Sequence, residues 1–502
     1  MSNKRKQVIV IGAGLGGLAT ALRMQHAGYQ VTILEKLPRP GGRSNVIEEQ
    51  GFRVDTGPTL LLMKDAFEET YRAVDQDFSK RLNLVQLDPH YRIYFHDDTH
   101  LDLYANIAQL AQEIERLEPG NRERLFRFLG SGAKKYELGM DFVHRNYSHL
   151  TDLANPKALT RLVETRAYEN MYRQVSNYFN GSDKLAKAFT FHSMFLGLSP
   201  YDSLAMYSMI TYADLALGIW YPMGGIYRIV EDMARLGQEL GFELRTSSPV
   251  QEIHVENGKV SGVRLQSGEH LPAEIVVSNA DLPYTYQELV NNHHRKDYHK
   301  RQLERMSYSC SGYLLYLGVD KIYTHLRHQA LYFSENYKAN LEAIFVDKSI
   351  PDEPSFHLNV PTVTDPSLAP PGHTLLYVLA PMPNLQADGH PAIDWGQKAP
   401  IVREKLITQL EKIVDPQLRQ HIVWEREYRP TDFIADYNAS YGTAFGSLAM
   451  NFFQATYFRP HNKSHDIRGL YFVGQGTYPG IGMPMVMISA RLVTERISQE
   501  WN

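Results

Sequence analysis

A glycine-rich segment close to the N-terminus has the spacing of a phosphate-binding loop. Gly12, Gly14 and Gly17 form a GxGxxG pattern directly after the β-branched run 8–11. In such a loop the first glycine permits a tight turn, the second lets the backbone approach a pyrophosphate, and the third lets helix and strand pack closely. The free N–H groups at the start of the following helix attract the phosphates. The pattern therefore predicts binding of a dinucleotide.

The elements that must position this loop are also predicted by the sequence. Residues 8–11 are typical of a strand buried on both faces. Apolar residues with helical spacing follow Gly17 and end at Gly28, and a second strand, 30–34, leads to Glu35. A carboxylate at this place can accept hydrogen bonds from ribose hydroxyls. The whole arrangement predicts a Rossmann-like fold.

The segment after Glu35 adds groups that suit an anionic ligand. Lys36 comes first, and the glycine pair 41–42 leads into Arg43. Backbone N–H groups and a guanidinium at this place would bind a pyrophosphate. A solvated surface turn is the alternative interpretation of the same residues.

The composition excludes several classes of protein. The chain has 502 residues, enough for about two or three domains. Lys and Arg number 52 and Asp and Glu 56, so no positive field favours nucleic acid. The single cysteine, Cys310, excludes an internal disulfide and a zinc site of paired thiolates, and we expect no metal site. No apolar run is long enough for a signal peptide or a membrane span, which indicates a protein made in the cytosol.

A second glycine-rich segment lies near the C-terminus. Residues 470–473 are predicted to form a buried strand, Gly474 and Gly476 flank a turn, and 488–497 has helical periodicity. A strand–glycine–helix unit of this kind would return to the first sheet and present N–H groups to the ligand.

Together these motifs resemble the FAD-dependent amine oxidase superfamily, and within it the bacterial carotenoid desaturases that act on phytoene or diapophytoene. The resemblance extends over nearly the whole chain. The sequence departs from the usual family pattern at Gln475, Tyr478 and Ile481, where the family has a small residue, a histidine and a small residue. Besides the glycine loops, the matching segments are 51–58, 189–193, 221–225, 278–281, 365–370, 458–462 and 469–489.

The resemblance implies an α/β fold, in which a Rossmann-like (GR2-type) FAD-binding domain is joined to a mixed α+β substrate-binding domain. The FAD-binding domain is expected to be discontinuous, with the pieces 1–75, 222–290 and 462–502. The substrate- and membrane-binding domain is expected to comprise 76–221 and 291–461.

The resemblance also implies the cofactor and its ligands. We expect FAD, held noncovalently because no cysteine lies in the flavin segment, with oxygen or a quinone as electron acceptor. Carried over position by position, the cofactor-binding residues are Gly12, Gly14, Gly17, Glu35, Lys36, Gly42, Arg43, Gly57, Pro58, Val250, Gly474, Gly476, Met483 and Pro484.

The implied activity is FAD-dependent desaturation of an acyclic carotene precursor, phytoene toward lycopene or the C30 analogue. A hydrocarbon offers no charge for recognition, so its pocket must be long and apolar. Desaturation removes a hydride equivalent to the flavin and a proton from the neighbouring carbon, and the allylic system lessens the need for a strong base. The enzymatic alternatives are a carotene cis–trans isomerase, a carotenoid terminal-methyl oxidase and an amine oxidase. A prenyl-binding escort protein is the non-enzymatic alternative.

The sequence leaves the catalytic residues open. His192 lies in an aromatic stretch and is a candidate base, although a hydrogen-bonded core histidine is the favoured interpretation. Asp214 and Asp281 have the same two interpretations. Several methionines, at 194, 206, 209 and 223, are expected either to line a substrate tunnel or to pack in the core.

Because such a substrate is insoluble in water, we expect peripheral attachment to the cytoplasmic side of a membrane. Residues 153–173 are the first candidate for the attached face, as one amphipathic helix that includes Leu159 and Leu162. Basic and acidic residues nearly balance there, so an ordinary solvated helix is the favoured interpretation of that stretch alone.

Overall fold

The computed structural model of the chain describes residues 5–147, 149 and 156–501. Within these residues the α-helices are α1 Leu15–His26, α2 Asp65–Arg72, α3 Phe78–Arg81, α4 Ile107–Leu117, α5 Arg122–Val143, α6 Pro156–Glu164, α7 Met171–Tyr178, α8 Asp183–Thr190, α9 Ser208–Leu217, α10 Tyr227–Leu240, α11 Leu282–Tyr284, α12 Lys300–Glu304, α13 Tyr337–Phe345, α14 Trp395–Ile413, α15 Leu418–His421, α16 Pro430–Tyr437 and α17 Met483–Trp501. The β-strands are β1 Gln7–Ile11, β2 Gln30–Leu34, β3 Val46–Glu49, β4 Phe52–Asp55, β5 Leu84–Gln86, β6 Tyr91–Phe95, β7 His100–Leu103, β8 Trp220–Pro222, β9 Glu243–Arg245, β10 Val250–Glu256, β11 Lys259–Leu265, β12 His270–Pro272, β13 Ile275–Ser278, β14 Ser311–Val319, β15 Gln329–Phe333, β16 Phe356–Asn359, β17 Thr374–Met382, β18 Ile422–Tyr428 and β19 Leu470–Phe472.

One half of the fold is a five-stranded parallel sheet in the order β19–β13–β1–β2–β9. Each strand lies inside one of the segments 1–75, 222–290 and 462–502, although the domain boundaries themselves stay a prediction. β1 is buried along nearly its whole length, as its β-branched run predicts. Helices α1, α10 and α17 share an apolar core with one face of this sheet, and strands β10 and β11 share another with the opposite face.

The other half is built on a seven-stranded sheet in the order β18–β14–β17–β16–β15–β6–β7. Its neighbouring strands pair antiparallel except β15 and β6, which run parallel. One face packs on α14, and the opposite face belongs to a core shared with α5, α7 and α8. A Rossmann-like half joined to a mixed α+β half is the predicted fold class, which is confirmed.

The single helix predicted over residues 153–173 is wrong, because two helices, α6 and α7, share this stretch. Arg166, between them, has a left-handed φ of 51°. Asn170 then accepts a hydrogen bond from the backbone N–H of Arg173 and caps the start of α7. Residues 153–155 lie outside the described residues.

Two properties of the helices concern function: the residue at which α17 begins, and whether any described helix could cross a membrane. α17 begins at Met483 and not at 488 as predicted, so its first turn reaches the ligand site described below. In the described part of the chain, no helix combines the length and the apolar composition that crossing a bilayer requires.

Candidate cofactor and substrate site

The glycine loop between β1 and α1 forms a cradle that side chains would fill. Gly12 has a φ of 94°, a conformation that favours glycine. A Cβ at Gly14 would lie 2.8 Å from Oδ1 of Asn279, and one at Gly17 would collide with the Gly12 carbonyl oxygen. Asn279 donates from Nδ2 to the Val473 carbonyl at 3.0 Å, which joins the ends of β13 and β19 to this edge of the sheet. A cradle that admits only backbone suits a pyrophosphate.

Glu35, directly after β2, is buried near this loop. Its Oε2 accepts a hydrogen bond from the Ala13 N–H at 2.7 Å, and its Oε1 accepts one from the Leu37 N–H at 2.9 Å. Burial raises the pKa of Glu35 against the effect of these hydrogen bonds. Each carboxylate oxygen keeps a second lone pair, so the group can still accept hydrogen bonds from ribose hydroxyls. Val250 starts β10 close by, since the N–H of Ser248 donates to the Glu35 carbonyl.

Lys36 is engaged with the other half of the fold. Its Nζ donates to the Ala435 carbonyl at 2.7 Å and to Oδ1 of Asn438 at 2.9 Å, both at the end of α16. The ammonium group therefore already has acceptors within the protein. The structure gives Lys36 a role in joining the two halves.

Arg43 borders a cavity that lies between the two halves of the fold, and its side chain is paired with Asp281. Its Nη1 and Nη2 donate to the two carboxylate oxygens at 3.2 and 3.1 Å. Gly57 packs on the backbone of Arg43, where a Cβ would collide with the Arg43 carbonyl oxygen. Next to Arg43, Gly42 lies so close to the loop that its Cβ would be 3.4 Å from the Cα of Gly14. The guanidinium of Arg43, which was predicted to bind the cofactor, is thus already neutralised by Asp281. Asp281 is therefore an ion-pair partner and not a free base.

The C-terminal glycine segment packs closely against Asn279, beside the same cradle. A Cβ at Gly474 would lie 2.6 Å from Nδ2 of Asn279, and one at Gly476 would lie 3.1 Å from the Ser447 hydroxyl. Met483 and Pro484 border the cavity as the first residues of α17. The positive end of a long helix dipole therefore faces the cavity, where it favours negative charge.

The three departures from the family pattern, Gln475, Tyr478 and Ile481, all line the cavity. Tyr478 donates a hydrogen bond to the carbonyl of Phe142, and its ring packs edge-on against Tyr147 with centroids 5.6 Å apart. These departures therefore change the shape of the cavity wall directly.

A cavity of about 630 Å³ lies between the two halves of the fold. Residues from the first half, such as Pro58 and Met483, meet residues of α5, α9 and the seven-stranded sheet around it. Of the methionines considered above, Met206 and Met209 line this cavity. Among the described lining residues there is no carboxylate and no lysine. The wall suits a long apolar ligand.

His192 and Asp214 are not part of this wall and form a buried cluster with His90. Asp214 Oδ2 lies 2.6 Å from Nε2 of His192, and its Oδ1 lies 3.0 Å from Nδ1 of His90. Burial opposes ionisation of Asp214, but hydrogen bonds from the two imidazoles hold its pKa below the usual value. All three side chains are fully buried. The arrangement supports a structural role, and it does not support either candidate as a base for a ligand in the cavity.

Sequence reasoning missed His357 and Tyr377, which are among the polar residues of the wall. They lie on β16 and β17, and Tyr377 donates to the Gly57 carbonyl at 3.1 Å. The available signal was a polar ring within a strand of mostly apolar residues. That pattern does not say which face of a two-sided sheet meets a ligand.

The residues present fit FAD. The cradle leaves room only for backbone next to a pyrophosphate, and Glu35 can accept hydrogen bonds from ribose hydroxyls. The start of α17 borders the cavity beside them. Bound there, FAD supplies two-electron oxidation by taking a hydride equivalent. The chain itself binds the cofactor, orients an apolar substrate along the wall and excludes water.

A dinucleotide cradle joined to a sheet domain across an apolar cavity defines the class of two-domain flavin-dependent oxidoreductases. The family model for flavin containing amine oxidoreductases matches residues 15–498. The chain belongs to this flavin containing amine oxidoreductase family, and its cofactor is FAD.

Two proteins that are similar over nearly their full length are phytoene desaturases. The zeta-carotene-forming phytoene desaturase of Myxococcus xanthus is 41% identical over 498 residues, which cover 99% of this chain and 94% of that protein. The lycopene-forming phytoene desaturase of Pseudescherichia vulneris is 35% identical over 487 residues, 97% of this chain and 98% of that protein. A solved oxidoreductase from Methanosarcina mazei has the same fold, with a TM-score of 0.66 and 18% identity over 97% of this chain and 100% of that chain. The resemblance to carotenoid desaturases is confirmed.

Proposed function

We propose that this protein is an FAD-dependent carotenoid desaturase that introduces conjugated double bonds into an acyclic carotene precursor, phytoene toward lycopene. The observation that carries the proposal is the apolar cavity beside the cofactor cradle. A hydrocarbon is recognised by shape alone, and a wall made mostly of apolar side chains provides that shape. Full-length similarity to phytoene desaturases supports the same reaction class.

The charge of the cavity wall disfavours an amine substrate. No carboxylate among the described lining residues could pair with an ammonium group, and the guanidinium of Arg43 borders the same space. Burying an unpaired cation there would be costly. A hydrocarbon carries no such cost.

The function is tested by expression in a phytoene-accumulating bacterial host, with chromatography and absorption spectra of the pigments. Longer conjugated polyenes support desaturation. Phytoene that is only isomerised indicates the cis–trans isomerase, oxidised end methyl groups indicate the terminal oxidase, and a flavin-free protein indicates the escort protein. A parallel host that makes the C30 precursor separates the two chain lengths. Reoxidation rates of the reduced protein with oxygen and with a quinone identify the electron acceptor.

In this proposal FAD is bound noncovalently. Cys310 lies in the core, and burial raises the pKa of its thiol to about 12, so it is a poor nucleophile toward a flavin. Acid precipitation should release all flavin into the supernatant. Yellow colour that remains with the polypeptide would contradict this part of the proposal.

We also propose that the protein docks on the cytoplasmic face of a membrane through an aromatic rim formed by Phe452, Phe453 and Phe458. These side chains are 58%, 76% and 46% exposed, and the Phe452 ring lies 5.3 and 6.2 Å from the other two. Phe452 and Phe458 also border the cavity, so the rim lies directly beside it. Exposed aromatic side chains beside a hydrocarbon-binding cavity suit a lipid surface, from which the substrate would enter.

The aromatic rim replaces residues 153–173 as the first membrane candidate. Leu162 lines the cavity, so a charge placed there would act on the cavity as well as on any surface. The side chain of Leu159 lies outside the described residues. Val163 and Tyr168 are exposed and extend the apolar surface from this stretch.

Vesicle co-sedimentation tests the aromatic rim. The variant Phe453→Glu should lose most binding to phosphatidylcholine–phosphatidylglycerol vesicles and keep its flavin, because Phe453 is the most exposed residue of the rim and does not line the cavity. Ile322→Glu is the matched control, because Ile322 is also largely exposed, at 62% against 76% for Phe453, and does not border the cavity. If the parent protein never binds vesicles and converts detergent-dispersed substrate at full rate, the membrane proposal is wrong.

A further inference from the structure

The cavity wall contains an imidazole at the middle strand of the seven-stranded sheet. His357 lies on β16, opposite Leu379 of β17 and Leu331 of β15, and is 7% exposed. The other ionisable groups of the described wall are tyrosines and Arg43, which Asp281 neutralises. Among the described lining residues, His357 therefore carries the side chain best suited to accept a proton, an imidazole.

A hydrogen-bond chain sets the tautomer of His357. Its Nε2 lies 2.5 Å from Oε1 of Gln329, whose amide nitrogen donates to the Thr59 carbonyl at 3.0 Å. Because the amide nitrogen has its acceptor, the amide oxygen faces the imidazole, and Nε2 must carry the proton. Nδ1 then has a free lone pair, and no described residue donates a hydrogen bond to it.

The same chain connects His357 to the cofactor side of the cavity. Thr59 follows Gly57 and Pro58, two of the residues that the family resemblance assigns to FAD, and all three line the cavity. Tyr377 lies edge-on to the His357 ring at 6.3 Å and donates to the Gly57 carbonyl. The imidazole is therefore held by the loop that borders the cofactor.

We propose that Nδ1 of His357 accepts the proton that the substrate loses in desaturation. The proposal rests on the proposed function. One C–H bond of the hydrocarbon breaks and its electron pair leaves as a hydride to the oxidised flavin. The C–H bond on the neighbouring carbon breaks, its electron pair forms the new C=C bond, and its proton goes to Nδ1. The resulting imidazolium returns the proton to water after turnover.

The electrostatic setting of His357 agrees with this role. Burial lowers the pKa of His357 to about 4, so the imidazole is neutral and able to accept a proton at pH 7. A weak base suffices, because a carbon next to a developing allylic cation is strongly acidic. A low pKa also makes the imidazolium release its proton readily.

The test compares His357→Gln with His328→Gln, a buried histidine next to β15 that does not line the cavity. We expect His357→Gln to slow anaerobic reduction of the bound flavin by substrate about 10²–10⁴-fold, the range for a lost general base. Its flavin content and its dissociation constant for the coloured polyene product should match the parent. His328→Gln should reduce its flavin at the parent rate.

A second measurement does not depend on turnover. Nitrogen-15 NMR of histidine-labelled protein at pH 7 should show His357 neutral with the proton on Nε2, and it can be made on the parent even if the variant does not fold. An imidazolium, a proton on Nδ1, or parent-like flavin reduction in His357→Gln would overturn the proposal. If the parent itself does not desaturate any carotene, the proposed function fails instead, whatever tautomer His357 has.

Discussion

Arg43 and Asp281 form a two-point ion pair at the edge of the cavity, with N–O distances of 3.2 and 3.1 Å. Their side chains are 17% and 5% exposed. The pair joins the loop after β2 to the turn after β13, two segments that are remote in the sequence. In such a buried pair each charge offsets the desolvation of the other, so the loss of one partner leaves an uncompensated charge.

We predict that Asp281→Ala lowers the free energy of unfolding by about 3–5 kcal/mol, because it leaves the Arg43 charge unpaired. Chemical denaturation followed by fluorescence measures this. Glu342→Ala, which removes the exposed Lys338–Glu342 pair, is the control and should change stability by at most about 0.5 kcal/mol. Equal stability of the two variants would show that the buried pair is dispensable.

Glu35→Ala should weaken FAD binding by about 1.5–3 kcal/mol, since hydrogen bonds to a carboxylate have roughly this strength. The substitution also leaves the N–H groups of Ala13 and Leu37 without their acceptor. Glu35→Gln keeps an acceptor oxygen and should lie between the parent and the alanine variant. Flavin occupancy after gel filtration gives the order, and an unchanged occupancy in Glu35→Ala would remove Glu35 from the cofactor site.

Gly14→Val should abolish FAD binding, because a side chain there would occupy the cradle and press on Asn279. Gly130→Val is the matched control, since a Cβ at Gly130 meets no atom within 4 Å. The measurement is the flavin-to-protein absorbance ratio of the two purified variants. A yellow Gly14→Val protein would contradict the assignment of this loop.

Acid should destabilise the protein in part through His328. Burial, together with the nearby His357, lowers the pKa of His328 to about 3, below its unfolded value of about 6.5. The unfolded chain therefore binds a proton as the pH falls through about 6.5 while the folded chain does not. Stability from this group is complete above that pH and falls by about 2 kcal/mol by pH 5. Urea denaturation should show that His328→Gln lacks this component, and a parent-like pH dependence in the variant would be the contrary result.

Local patterns in the sequence were sufficient for the dinucleotide half. A β-branched run, three spaced glycines and an acidic residue after the second strand are local signals, so the sequence alone predicts Gly12, Gly14 and Glu35 as cofactor-binding residues. Gly17 is predicted for the same reason, since its contact with Gly12 lies within a few residues of chain. The family resemblance depends on the same short segments and predicted the fold class correctly.

Side-chain partners across long stretches of chain were decided only by the tertiary structure. Arg43 is a cation in any fold, but its neutralisation depends on Asp281, 238 residues away. His192 and His357 are both histidines within apolar segments. The fold buries one against Asp214 and places the other on a cavity wall. Which face of a sheet meets a cavity depends on how layers pack, and the alternation of side chains along a strand carries no information about that.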